Sequence, residues 1–120
     1  VTWALGSDIG GGPFLSMFDV MRSFVDQNKK KQIVGATYTK ALFRSTLAGA
    51  EILGLEKHSG NFEKNKDASF IVVPLKKNIK PRNAEEALQK LIGQFKLSRK
   101  SYGTLVSHTC FKGEFLFKKK

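Results

Sequence analysis

The chain has 120 residues, 41% of them apolar and 11% aromatic, which is enough for one domain with a modest core and too apolar for a disordered segment. Its net charge of +11 raises the question of nucleic acid. However, Lys29-Lys30-Lys31, Lys76-Lys77 and Lys118-Lys119-Lys120 lie between or after the periodic segments with no interleaved aromatics, so no specific nucleic-acid partner is expected. A single cysteine, Cys110, excludes an internal disulfide and reads as a buried, inert thiol. No apolar run approaches a membrane span and no basic-apolar leader opens the chain. The expectation is a cytoplasmic protein without a membrane partner, and Val1, set inside an apolar run, reads as an internal point of a longer chain.

In chain order, Trp3-Ala4-Leu5-Gly6-Ser7 reads as a short buried strand that delivers Asp8 to its C-terminal edge, where Gly10-Gly11-Gly12-Pro13 must turn or admit a ligand. Ser16 is placed to cap a helix with the apolar stripe Met17, Phe18, Val20, Met21, Phe24 and Val25, ending near Asn28. Thr39 is placed to cap a second helix, which Gly54 stops. Its face of Ala41, Leu42, Ser45, Thr46, Gly49, Ala50 and Leu53 is small enough for close packing. Phe70-Ile71-Val72-Val73 reads as a strand. Asn83 caps a third helix near 83–96, with Glu85 and Glu86 in its first turn and Ala87, Leu88, Leu91, Ile92 and Phe95 inward. Leu105 to Phe111 alternates as a strand, and Lys112-Gly113 turns it back into Phe115-Leu116-Phe117.

Several residues have two readings on the sequence alone. Asp8 serves either as a site carboxylate or as a turn residue bonding its own backbone two positions on. The glycine run lacks the spacing and the Lys-Ser/Thr ending of a phosphate loop. Arg22 and Ser16 read as helix-surface and capping residues. His58 reads as a solvated loop residue and His108 as a partly buried structural one, neither with metal-ligand spacing.

The segment Gly6-Ser7-Asp8-Ile9-Gly10-Gly11-Gly12-Pro13, followed by Leu15-Ser16-Met17-Phe18 and Met21-Arg22, resembles the part of guanine deaminases in which a last catalytic aspartate precedes a glycine-rich loop. The runs Ser45-Thr46-Leu47-Ala48-Gly49-Ala50-Glu51-Ile52-Leu53-Gly54-Leu55 and Ser59-Gly60-Asn61-Phe62-Glu63-Lys64-Asn65-Lys66-Asp67-Ala68-Ser69-Phe70-Ile71-Val72-Val73 are similar to a signature of the wider amidohydrolase superfamily of cyclic deaminases and chlorohydrolases. The resemblance covers about residues 4–74. Asn65 stands where the family usually has Gly and Ser69 where it usually has Asp, while residues 76–102 match nothing in it.

The resemblance implies an α/β fold: the last strand and flanking helices of a (β/α)8 barrel over residues 1–56, and over 57–120 the C-terminal strands of a small composite β-sandwich domain with an inserted helix near 83–96. It implies a zinc-dependent enzyme that hydrolyses guanine to xanthine and ammonia, with adenosine-type, pterin or triazine aminohydrolases as the near alternatives. A noncatalytic basic binding module on the same scaffold is the alternative of another class. Asp8 becomes both metal ligand and proton shuttle, because zinc lowers the pKa of a bound water and a neighbouring carboxylate can take its proton and hand it to departing ammonia. Gly10, Gly11 and Gly12 become the substrate loop, where an added side chain is expected to intrude on the pocket without disturbing Asp8. The other ligands are histidines that this chain lacks, so the implied partners are the N-terminal remainder of the same protein, a purine-like substrate and a second copy in a homo-oligomer.

Overall fold

The computed structural model describes residues 1–94 and 105–120. Seven elements follow in order: α1 (Met17–Lys30), α2 (Tyr38–Ser45), α3 (Leu47–Ile52), β1 (Phe70–Val72), α4 (Ala84–Gly93), β2 (His108–Phe111) and β3 (Glu114–Lys118). Phe95 and the expected end of the third helix at 96 lie outside the described residues.

The helices form where apolar spacing and caps coincide. The Ser16 hydroxyl accepts from the Phe18 N–H at 3.2 Å, and α1 buries Met21 and Val25, four residues apart on one face. These meet Tyr38 and Ala41 from α2 and Ile92 from α4, and Leu5, Phe18, Phe24, Leu88 and Leu91 fill in around them. The core is therefore a three-helix contact that also takes in Leu5 of the N-terminal run. Arg22, expected at the helix surface, instead donates from Nη2 to the Ile92 carbonyl at 2.5 Å and ties α1 to the C-terminal turn of α4, where carbonyls lack helical partners.

Two helix boundaries differ from expectation. Thr37, not Thr39, caps α2: its backbone is extended and its hydroxyl accepts from the Lys40 N–H at 3.1 Å. Thr39 lies inside the first turn, engaged by Glu85. The single helix expected to run to Gly54 is broken at Thr46 (φ −132°, ψ −91°) into α2 and α3. Serine and threonine hydroxyls that bond back one turn compete with the helical ladder, and here two act in succession: Ser45 to the Ala41 carbonyl and Thr46 to the Leu42 carbonyl, both at 2.8 Å.

The sheet is antiparallel in the order β1-β2-β3, with Ile71 opposite Thr109 and Phe111 opposite Glu114. Lys112 and Gly113 both have positive φ, 48° and 88°, the geometry of the tight two-residue hairpin turn that suits strand twist. Thr109 faces Phe117 whereas Cys110 faces Phe115, so Leu116 is the extra residue of a bulge. Cys110 is buried, as expected, and its thiol donates to the Ala68 carbonyl at 3.2 Å. The expected strand start at Leu105 is not seen: pairing begins at His108, the partner of Val72 at the end of β1.

The buried strand expected before Asp8 is also absent. Residues 1–8 carry no ladder, and each is half-buried or exposed, because a strand needs a neighbour and the only sheet among the described residues lies elsewhere. The run keeps the period of two, with Trp3, Leu5 and Ser7 turned inward. No helix among the described residues is long and apolar enough to cross a membrane.

Glu85 links the helices. Its two carboxylate oxygens accept from the Tyr38 and Thr39 N–H groups, each at 2.8 Å, and from the Thr39 hydroxyl at 2.9 Å, placing an anion on the α2 N-terminus. Partial burial pushes this carboxyl upward, but the Thr39 and Tyr38 bonds and the Lys29 charge outweigh it and hold its pKa below the ordinary carboxylate value. A folded-state pKa below the unfolded one stabilises above the unfolded value and is lost as pH falls through the folded one. Glu85→Ala should therefore cost about 1 kcal/mol at neutral pH, and the gap to wild type in thermal unfolding should close as the solution is acidified. A gap that stays constant with pH would show that the carboxylate charge contributes nothing.

Much apolar surface stays open, with Leu53 72%, Phe62 83% and Leu116 66% exposed. Such area drives association in water. The isolated 120-residue chain should accordingly self-associate in a light-scattering concentration series, and a concentration-independent monomer with a high melting temperature would contradict this.

Candidate functional site around Asp8 and the glycine turn

The run that carries Asp8 is held from the helix side. Trp3 lies between two groups: its ring centroid is 5.7 Å from that of Phe24 on α1, and the Arg44 guanidinium sits 4.3 Å from it on α2, within cation–π range. Arg44 Nη1 donates to the Trp3 carbonyl at 3.0 Å, and the Leu5 N–H donates to the Arg44 carbonyl at 2.8 Å. Ala4 approaches Gly49 on α3, where an added Cβ would lie 4.0 Å from the Ala4 Cβ. Part of the small-residue face foreseen in the sequence thus packs against the run that leads to Asp8.

Asp8 ends that run in the left-handed region, at φ 47°. An L-residue there is strained, though Asp bears it better than most, and glycine bears it without cost. A chain that places glycine at 10, 11 and 12 but aspartate at 8 is not choosing its residue for backbone comfort. The rival reading, in which the carboxylate bonds its own backbone, is not what forms. The Asp8 main-chain carbonyl accepts from the Gly11 N–H at 2.9 Å and the Gly12 N–H at 2.6 Å, while the side chain accepts no hydrogen bond among the described residues. Asp8 is exposed, so its carboxylate is an uncommitted oxygen donor.

Each glycine has its own reason. Gly10 has φ 98° with open space where a Cβ would stand, so conformation alone demands it. A Cβ at Gly12 would collide with the Ser7 carbonyl oxygen, which is backbone and cannot swing aside. A Cβ at Gly11 would fall 2.5 Å from Asp8 Oδ2 and 3.1 Å from Cγ. This corrects the expectation that a side chain at position 11 would leave Asp8 undisturbed: the carboxylate stands where the Gly11 Cβ would be. Gly11→Val should therefore displace Asp8 as well as crowd the loop, and Gly12→Ala should open the turn outright. Amide hydrogen exchange at positions 11 and 12 should rise most in Gly12→Ala, and equal protection in both variants would refute the assignment.

The histidines join Asp8 in no metal-binding group among the described residues. His58 is exposed in its loop. His108 shares a 3.0 Å bond between Nδ1 and Ser107 Oγ and an edge contact with the Phe115 ring. No group of three or more His, Cys, Asp or Glu that could hold a metal occurs among the described residues. Asp8 suits zinc as one hard oxygen ligand, but the described residues supply no complete coordination set.

A cleft of about 790 Å³ lies elsewhere, between the α2–α3 segment and the sheet, lined by Leu42, Leu53, Phe62, Ile71, Phe111 and Leu116 among others. Leu42 and Leu53 were expected to be helix-face packing residues; the break at Thr46 leaves them on the open cleft wall. Its one titratable lining group, Cys110, is committed to Ala68, so the cleft offers no acid–base pair. Sequence reasoning missed Arg44 and the reach of Glu85. An arginine inside an expected helix reads as a surface side chain and a glutamate in a first turn as an ordinary partner of the helix dipole, and nothing local shows that each serves a different element.

The family model that matches is described as the amidohydrolase family and covers residues 1–106. The chain is 32% identical to guanine deaminase of Rattus norvegicus over 96 residues, 76% of this chain and 20% of that protein. It is 34% identical over 71 residues to guanine deaminase of Escherichia coli strain K12, 58% of this chain and 16% of that protein. Among solved structures, E. coli guanine deaminase superposes with a TM-score of 0.78 at 20% identity, over 100% of this chain and 28% of that one. Guanine deaminase from Bradyrhizobium japonicum gives 0.67 at 23% identity, over 100% and 32%. The chain therefore spans about a fifth of the curated relatives' length.

Proposed function

This chain belongs to the amidohydrolase family, and on that premise we propose that the protein carrying it is a metal-dependent hydrolase of C–N bonds whose substrate is guanine. In this reading residues 1–56 close the catalytic barrel and residues 57–120 complete a small β domain. The remainder of the same protein supplies the histidine ligands that this chain lacks. The observation that carries the reading is the amidohydrolase match over residues 1–106, which takes in Asp8, a strained, exposed residue whose carboxylate has no hydrogen bond among the described residues, together with the similarity to guanine deaminases.

Asp8 is the residue of this chain that would hold zinc, as one oxygen ligand. When bound, the metal supplies Lewis acidity and lowers the pKa of water toward neutrality. The rest is what the chain's own residues do. Asp8 Oδ accepts and returns a proton beside the reacting carbon. Gly10–Gly11–Gly12 turn the backbone away, and the missing side chain at Gly11 leaves the room that the Asp8 carboxylate occupies, with the loop bordering the side on which a flat heterocycle would sit. The run from Trp3 to Leu5, held on α1 and α2, fixes where Asp8 emerges.

In the complete protein, Asp8→Asn should lower kcat for guanine by at least about a thousandfold, followed as xanthine formation by ultraviolet absorbance, with the fold retained by circular dichroism. Near-normal turnover in that variant would remove Asp8 from the reaction. Wild-type turnover of adenosine, a pterin or a triazine in preference to guanine would keep the hydrolase and change the substrate.

A further inference from the structure

We infer that Arg44 is the positioning residue for the Asp8 carboxylate: its side chain and its main-chain carbonyl together grip the run that ends in Asp8, and the break in the helix at Thr46 leaves that carbonyl free to do so. The inference rests on the reading of Asp8 as a site carboxylate.

In an unbroken helix the carbonyl of residue 44 would accept from the N–H of residue 48. At Thr46 the ladder stops, leaving the last carbonyls of α2 without helical donors. They find others: Leu42 takes the Thr46 hydroxyl at 2.8 Å, Phe43 takes the Thr46 N–H at 3.2 Å, and Arg44 takes the N–H of Leu5 at 2.8 Å. The Arg44 side chain reaches the same run one peptide group earlier, donating to the Trp3 carbonyl at 3.0 Å while its Cζ sits 4.3 Å from the Trp3 ring centroid and 5.1 Å from that of Phe43. One residue thus satisfies a carbonyl and an N–H two positions apart on a run that has no strand neighbour among the described residues. Beside that grip, the Trp3–Phe24 contact, the approach of Ala4 to Gly49 and the packing of Leu5 hold the run that leads to Asp8.

The guanidinium is not placed for its own comfort. Arg44 Nε is buried with no acceptor among the described residues, an unfavourable state for a charged donor. A lysine would carry the charge but could not stack on Trp3 and donate in the ring plane at once. Asp8 lies three residues beyond Leu5, and small displacements of a reacting group reduce rate far more than they reduce binding.

The test uses the complete protein. Arg44→Ala should lower kcat for guanine by at least about tenfold while KM stays within about twofold, and should speed amide exchange across residues 1–12. Arg44→Lys should fall between wild type and alanine in both measurements, and it decides the matter if the alanine variant does not fold. Glu85→Gln, which weakens α2 at its other end and touches nothing near Asp8, is the control: it should lower the melting temperature while leaving kcat and the exchange of residues 1–12 unchanged. The inference is overturned if the Arg44 variants keep wild-type kcat and exchange, or if Glu85→Gln loses as much kcat as Arg44→Lys at equal loss of stability. If Asp8→Asn itself retains turnover, the functional reading fails; the exchange measurement then still shows whether Arg44 holds the run.

Discussion

The contact on which the candidate site depends is the one between Arg44 and the first residues of the chain. A run that lies on no sheet has no ladder to fix it, and its backbone groups must be satisfied in some other way. Arg44 supplies a donor to Trp3 and an acceptor for Leu5, so the run is registered on α2 to within a residue. Everything after Leu5, including the left-handed turn at Asp8, inherits that register. The bond is possible only because the helix ends where it does, and it ends there because adjacent serine and threonine hydroxyls bond back to Ala41 and Leu42.

The frame behind this contact is a second long-range exchange between helix ends and side chains. Glu85 in the first turn of α4 satisfies the amides that open α2, and Arg22 on α1 satisfies a carbonyl near the end of α4. Helix termini are where backbone groups are unpaired, so three helices that share donors and acceptors there are held in relative position as well as in contact. The apolar cluster of Met21, Val25, Tyr38, Ala41 and Ile92 is small for a domain. The charged bonds at its rim set geometry that so few buried side chains would leave loose.

The two halves of the chain face outward in different ways. On the Asp8 side the surface is backbone-rich, with a carboxylate, three glycines and the exposed Ile9. Between the α2–α3 segment and the sheet it is apolar and open, with Phe62 and Leu116 among its most exposed residues. A water-soluble chain does not ordinarily leave a concave apolar face of that kind bare. The chain covers from 16% to 32% of the length of the relatives it matches.

Local chemistry made much of this legible in the sequence. The Ser16 and Asn83 caps, the Lys112-Gly113 turn, the burial of Cys110 and the exposure of His58 follow from short-range rules: a hydroxyl or amide oxygen before an apolar period, glycine where φ is positive, a small thiol in an alternating strand. The departure at Asn65 resolves in the same terms, since its φ of 71° is the left-handed region that glycine favours and asparagine tolerates. Asp8 and its glycines could be singled out because a carboxylate followed by three conformationally free residues is unusual in itself. What the sequence could not contain was the partner across space. The run at 3–7 has the alternation of a strand, but a strand exists only where another chain segment lies beside it. Thr39 has the chemistry of a cap, but Glu85, 46 residues away, claims its hydroxyl. Gly11 reads as a conformationally free loop position, but only the fold shows that the Asp8 carboxylate stands where its side chain would. Alternation, caps and turns are properties of neighbours along the chain; register, helix breaks and the direction of a carboxylate depend on residues brought together by folding, and those the tertiary structure alone decided.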